Sequence, residues 1–299
     1  MSEDRRASQP ARGEAGLTVE GVTVRFGGLT AVDDVTLHAP PGAVTGLIGP
    51  NGAGKTTLFN ACTGVVSMAA GRVFLGGRRL DHHSTAARAA RGLGRTFQRM
   101  ELFDSMTVAE NVSLGPEALL SARRPWGQLA GSGRERREIA RRAGEAMARC
   151  GLDDLGRRAA GDLSTGQRRL VELARAMASP FRFLLLDEPS SGLDIAETET
   201  FARVLSGFVA DTAIGVLLVE HDMALVSKVC SYTHVLDFGQ LICSGPTAEV
   251  LASPEVQAAY LGSETLDGDG LARPAEPETQ TAQQSVKLQA AELEVAGDV

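Results

Sequence analysis

Three short stretches carry residue types that together can move a phosphoryl group. "GPNGAGKTT", Gly49 to Thr57, fits GxxxxGKS/T with Gly49, Gly54, Lys55 and Thr56 in register, between a strand-like run and a helix-like one. The loop from Gly49, Pro50, Asn51, Gly52, Ala53 and Gly54 to Lys55, Thr56 and Thr57 is thus a candidate nucleotide cradle. Its glycines let the backbone curl so that amides face phosphate oxygens, Lys55 neutralises charge on the β- and γ-phosphates, and the Thr56 hydroxyl can ligate Mg²⁺. "FLLLDEP", Phe183 to Pro189, ends an apolar run in two adjacent acids, which are costly to hold near a core unless they serve a cation or a reaction. Asp187 suits direct or outer-sphere support of Mg²⁺, and Glu188 is then placed to orient or deprotonate an attacking water. "DLSTGQRRLVELARAMA", Asp162 to Ala178, puts Ser, Gly and Gln at the start of an amphipathic helix with Leu170, Leu173, Ala174 and Met177 on its apolar side, an arrangement that also binds anions. One chain therefore offers two phosphate sites.

Around these residues the chain alternates between strands and helices. "LTVEGVTVRF", "VTLHA" and "AVTGLIG" predict strands, the last feeding the glycine loop; "KTTLFNAC" predicts a helix and "GRVFLGG" a strand between turns. From Met106 to Gly161 strand signals vanish and the segment turns Arg- and Ala-rich, with Ile139, Ala143, Ala146, Met147 and Cys150 at helical spacing. "FRFLLLDEP" and "GVLLVEHD" are short continuous apolar runs, as strands buried on both faces require. "YTHVLDFGQLICSG" predicts two strands joined at a turn around Phe238 and Gly239, and "AEVLA" and "EVQAAYLG" predict two closing helices. The expected fold class is α/β: a P-loop core with a parallel sheet, an antiparallel N-terminal β layer and an inserted helical subdomain at about 106–180. Residues 1–16 are expected to be a disordered lead-in, 17–264 the folded domain and 265–299 a disordered acidic tail.

A glycine-loop phosphate site plus an acid-tipped strand describes many ATPases and kinases. "LSTGQ" ahead of the acidic strand, "SSGLD" at Ser190 to Asp194 and "VEHD" at Val219 to Asp222 narrow the choice: the set resembles the ATP-binding cassette (ABC) superfamily, from about Leu17 to Gly262. That resemblance implies that the signature loop closes on the γ-phosphate held by a partner subunit, so two phosphate sites in one chain serve two ATP molecules in a head-to-tail dimer. It further implies that Ser164 and Gly166, with Gln167 beside them, bind that γ-phosphate. Gln98 in "RTFQ" would sense Mg²⁺ and the membrane subunit, Asp194 would cross to the opposite site, His221 would hold the γ-phosphate and Phe26 would stack on adenine. "RTFQRMELFDSMTVAENV", "GPNGAGKTTLFN", "STGQRRLVELARAMA" and "PEVQAAYLG" are most similar to the ATPase subunits of branched-chain amino-acid importers, specifically the larger of the two types. Near relatives by this pattern include urea and short-chain amide importers and the ATPase of lipopolysaccharide export. The implied substrate and cofactor are ATP and Mg²⁺. The implied partners are transmembrane permease subunits, a second ATPase subunit in a homo- or heterodimer and, indirectly, a substrate-binding protein, with no nucleic acid. The implied location is the cytoplasmic face of the cell membrane, as a peripheral subunit. Two rivals are a soluble ABC ATPase acting on ribosomes or DNA, which usually needs two fused cassettes or long coiled coils, and a noncatalytic cassette, against which Lys55, Glu188 and His221 weigh. The tail from Thr265 and the linker "ARRPWGQLAGSG" depart from the family pattern.

Composition agrees. A net charge of −7 argues against indiscriminate nucleic-acid binding, and most of it lies in the tail, where seven acids face Arg273 and Lys287. Cys62, Cys150, Cys230 and Cys243 are scattered without ligand spacing, so neither zinc nor a disulfide framework is expected. No apolar run approaches the ~20 residues of a spanning helix, and "MSEDRRASQPARGEAG" has no apolar leader, so a protein neither exported nor membrane-spanning is expected. Asp81 to His83 is expected to be an exposed loop, and the Arg134–Arg142 cluster a solvated helix face paired with Glu135 and Glu138.

Overall fold

The glycine loop leaves the middle of a six-stranded sheet. A computed structural model of the chain describes residues 15–96, 100–121 and 133–258. Gln98, the "ARRPWGQLAGS" part of the linker, residues 1–14, the closing "AYLG" and the tail lie outside the described residues.

The N-terminal layer is antiparallel, in the order β2-β1-β4-β5, from β1 (Leu17–Phe26), β2 (Leu29–Ala39), β4 (Ala70–Leu75) and β5 (Arg78–Arg79). The six-stranded sheet runs β10-β9-β3-β8-β7-β6, from β3 (Val44–Ile48), β6 (Leu93–Arg95), β7 (Phe183–Asp187), β8 (Gly215–Val219), β9 (Tyr232–Asp237) and β10 (Gln240–Pro246). Every pairing in it is parallel except the β9–β10 hairpin. Strand β2 begins six residues earlier than "VTLHA" suggests, because Asp33 and Asp34 interrupt the apolar alternation and Asp34 sits at φ 50 within an irregular register.

The helices are α1 (Lys55–Thr63), α2 (Thr85–Ala90), α3 (Val108–Ser121), α4 (Gly133–Arg149), α5 (Thr165–Ala178), α6 (Ile195–Thr212), α7 (Met223–Val229) and α8 (Thr247–Leu251). The apolar runs of the central strands are continuous because both faces are covered. Leu184, Leu186, Val216 and Leu218 pack toward α3 to α7, whereas Phe183, Leu185, Leu217 and Val219 pack toward the N-terminal layer and α1. Helices α3, α4 and α5 contact one another and form the helical subdomain.

Arg88 on α2 stitches the glycine-loop helix to this frame. It is 4% exposed and donates to the terminal carbonyls of α1, Ala61 O and Cys62 O, both at 2.7 Å, and to Asp81 O and His83 O at 3.1 and 2.9 Å. A cation at a helix C-terminus is favourable, and removing it orphans several buried acceptors. Arg88→Met is expected to destabilise the fold by about 3 kcal/mol, read as a lower urea midpoint at unchanged slope.

Candidate functional site

The glycine loop, LSTGQ, SSGLD and VEHD each sit at the start of a helix, held there by local chemistry. Gly54 caps α1 with φ 99, a left-handed conformation, and a Cβ there would stand 2.5 Å from Ala31 O, so glycine is required on two counts. Ser164 caps α5 in a reciprocal box: its Oγ accepts from Gln167 N at 3.2 Å while Gln167 Oε1 accepts from Ser164 N at 3.1 Å. Asp194 caps α6 the same way, its Oδ1 accepting from Glu197 N at 2.8 Å and Glu197 Oε2 accepting from Asp194 N at 3.2 Å. Asp222 caps α7 by accepting from Ala224 N and Leu225 N.

The loop and the acidic strand end meet around a cavity of 310 Å³ lined by Ala31, Asn51, Gly52, Ala53, Gly54, Lys55, Thr56, Thr57 and Glu188. Lys55 folds back on its own loop, with Nζ donating to Gly49 O at 2.7 Å and Pro50 O at 2.8 Å. Its burial pulls the ammonium below the usual lysine pKa, against the opposing fields of Glu188 and Asp187. Glu188 follows β7 with φ 46, a conformation costing about 1–3 kcal/mol for a residue with a Cβ, and its amide is anchored to Val219 O at 2.9 Å. The anchor turns its carboxylate to the cavity, 3.9 Å from His221 Nδ1. Phe26, 49% exposed, stands near the tip of the β1–β2 hairpin that also supplies Ala31 to the cavity wall.

Asp187 is buried and bound on one side only. Its Oδ2 pairs with Arg95 Nη2 at 2.9 Å, while Oδ1 has no hydrogen-bond partner among the described residues. Burial lifts its carboxyl above the usual aspartate pKa, with Arg95 pulling the other way. An orphaned carboxylate oxygen is a hard donor of the kind Mg²⁺ takes, and Thr56, on the cavity wall, carries a hydroxyl of the same character.

Ser164, Gly166 and Gln167 do not line this cavity, and neither does Asp194. They meet one another instead: Ser164 Oγ lies 3.5 Å from Glu197 Oε1, and a Cβ on Gly166 would stand 2.2 Å from that same oxygen. The two helix starts thus form one abutting pair. A larger cavity, 680 Å³, is bordered by Arg78, Arg91, Arg182 and Phe181 and contains none of the motif residues.

Four further residues, not singled out by the sequence, contact the motifs or one another: Asn60, Arg95, Glu197 and Glu220. Glu220 is fully buried and accepts from Ser190 N at 2.8 Å and His221 N at 3.2 Å, joining "SSGLD" to "VEHD". Arg95 and Glu220 lie inside "RTFQ" and "VEHD", so proximity to Gln98 and His221 was the available signal.

Residues 32–191 match the family model for the ABC transporter, and 240–265 match one described as branched-chain amino acid ATP-binding cassette transporter. The high-affinity branched-chain amino acid transport ATP-binding protein BraF of Pseudomonas aeruginosa is 36% identical over 248 residues, 82% of this chain and 97% of BraF. The chain belongs to the ABC transporter ATP-binding family. The high-affinity branched-chain amino acid transport ATP-binding protein LivG of Escherichia coli K12 is also 36% identical to this ABC ATPase, over 82% of the chain and 97% of LivG. The lipopolysaccharide export system ATP-binding protein LptB of the same organism is 33% identical over 84% of the chain and 98% of LptB. The solved ADP conformation of MJ1267, an ATP-binding cassette of an ABC transporter, superposes with a TM-score of 0.73 at 29% identity, covering 83% of this chain and 98% of that one. As an ABC ATPase the protein binds and hydrolyses ATP. No helix among its described residues is long and apolar enough to cross a membrane.

Proposed function

We propose that this ABC ATPase powers a branched-chain amino-acid importer as the larger of its two ATPase types. It sits at the cytoplasmic face of the cell membrane against transmembrane permease subunits and pairs with a second ATPase subunit. The observation that carries the reading is the match of residues 240–265, across β10 and α8, to the branched-chain amino acid cassette family, with 36% identity to BraF and LivG along nearly their whole length. In this reading residues 17–264 are the ATPase domain and 265–299 an appended acidic tail.

The proposed chemistry uses the geometry above. ATP enters the 310 Å³ cavity with adenine on Phe26 and its phosphates on the amides of the 49–57 loop, and Lys55 Nζ exchanges Gly49 O and Pro50 O for phosphate oxygens. Thr56, Asp187 and Gln98 would hold Mg²⁺, which supplies charge neutralisation on the β- and γ-phosphates. Glu188 takes a proton from water as the water oxygen bonds to the γ-phosphorus and the bond to the bridging oxygen breaks. His221 holds the γ-phosphate from its loop. Ser164, Gly166 and Gln167 of a partner subunit close over it, and Asp194 crosses to the opposite site.

The test is affinity purification of the chain from its native membrane in mild detergent, with partners identified by mass spectrometry. Two multi-span permeases, a second ATPase and a substrate-binding protein that retains a branched-chain amino acid are the expected recovery. The likeness to LptB makes an export ATPase the second reading, and recovery of an export permease pair without a binding protein would select it.

A further inference from the structure

We propose that Arg95 is a positioning residue that orients Asp187 for the metal and ties that carboxylate to strand β6; the proposal rests on the Mg²⁺ site proposed above. Strand β6 is short and lies at the sheet edge, paired to β7 through Leu93, Gly94 and Arg95. Its last residues nevertheless reach two other parts of the site. Arg95 Nη2 holds Asp187 Oδ2 at 2.9 Å, Nη1 donates to Asn60 Oδ1 on α1 at 2.5 Å, and the guanidinium carbon sits 5.7 Å from the centre of the Phe59 ring. Thr96 completes the link: its amide donates to Leu185 O at 2.9 Å and its hydroxyl accepts from Asp187 N at 3.4 Å.

One planar group therefore spans the helix that opens at the glycine loop, the strand that ends in the acids and the strand that precedes Gln98. By fixing Oδ2 it dictates where the orphaned Oδ1 points. Two separate guanidinium nitrogens hold Asn60 and Asp187, a division that a lysine ammonium, a single point on a flexible stem, does not reproduce. An ordinary structural ion pair would stabilise the fold without changing how tightly metal joins the nucleotide. Partners that orient metal ligands, by contrast, change metal affinity by about 10- to 100-fold when removed.

The experiment measures affinity for a non-hydrolysable ATP analogue by equilibrium dialysis, with Mg²⁺ and in EDTA, for the full chain and its variants. Arg95→Met is expected to bind the analogue in EDTA within about twofold of wild type and to lose about 10- to 100-fold of the gain that Mg²⁺ confers. Arg95→Lys, which keeps the charge, is expected to recover only part of it. Should Arg95→Met fail to fold, Asn60→Ala carries the test, since it frees one end of the guanidinium and leaves the Asp187 pair in place; a smaller loss in the same direction is expected. An undiminished Mg²⁺ gain in the folded variants overturns the proposal alone, as does an equal loss with and without metal. A wild-type protein with no Mg²⁺ gain overturns the metal assignment and this proposal with it.

Discussion

Glu188→Gln is expected to lower ATP turnover by about 10²- to 10⁴-fold, the range for removing a general base, equivalent to about 2.7–5.4 kcal/mol of barrier. The argument is geometric. The Glu188 amide is pinned to Val219 O, its backbone is held at a φ of 46, and its carboxylate lines the glycine-loop cavity beside His221. Glutamine has the same shape, so the strained backbone and the cavity persist and nucleotide affinity should stay within a few-fold of wild type. What disappears is the capacity to accept a proton from water. Hydrolysis is proposed to reopen the pair with the second ATPase subunit, so the variant mixed with that subunit should accumulate as an ATP-bound dimer on size-exclusion chromatography while wild type does not. Equal turnover in the two proteins would remove Glu188 from the role of base.

Gly166→Asp should abolish turnover and leave ATP binding to the monomer intact. Gly166 lies in the first turn of α5, outside the 310 Å³ cavity, so the chain's own nucleotide does not depend on it. Any side chain there meets the Glu197 carboxylate, which approaches the ideal Cβ position to 2.2 Å. That collision would dislodge Glu197 from the box it forms with Asp194, disturbing both segments proposed to cross to the partner. Aspartate adds a negative charge where the partner's γ-phosphate is proposed to arrive, repelling it as well as Glu197. Loss of an anion-stabilising group is worth about 10²- to 10³-fold by itself, and the added repulsion should take the variant below detection. Gly166→Ala separates the terms: it keeps the collision, which the flexible Glu197 side chain can partly relieve, and omits the charge, so a partial loss is expected. A monomer of Gly166→Asp that no longer binds ATP would sink the claim that the signature acts on a partner's nucleotide.

Much of this molecule follows from patterns that are local in the chain. The glycine loop, the LSTGQ start and the SSGLD start are short-range devices: glycines that reach left-handed backbone, and capping residues that find partners three positions away in Gln167 and Glu197. Such features depend on neighbouring residues alone and are therefore legible without a fold. The unbroken apolar runs of β7 and β8 likewise announce burial on both faces, and the parallel sheet and antiparallel N-terminal layer follow as read.

The sequence by itself determined the family, the glycine-loop phosphate site and the helix starts that follow Gly54 and Ser164. Strand β6, only three residues long, shows no readable period, and the acids at 33 and 34 hide the first half of β2. The pairing of Arg95 with Asp187 spans 92 positions and exists because the sheet order sets β6 beside β7. The contact of Glu197 with Ser164 spans 33 positions, and the span of Glu220 to Ser190 thirty. Those partners were decided by the tertiary structure alone, because a buried charge selects whichever group the packing of distant elements brings within hydrogen-bond reach, and no local periodicity records that choice.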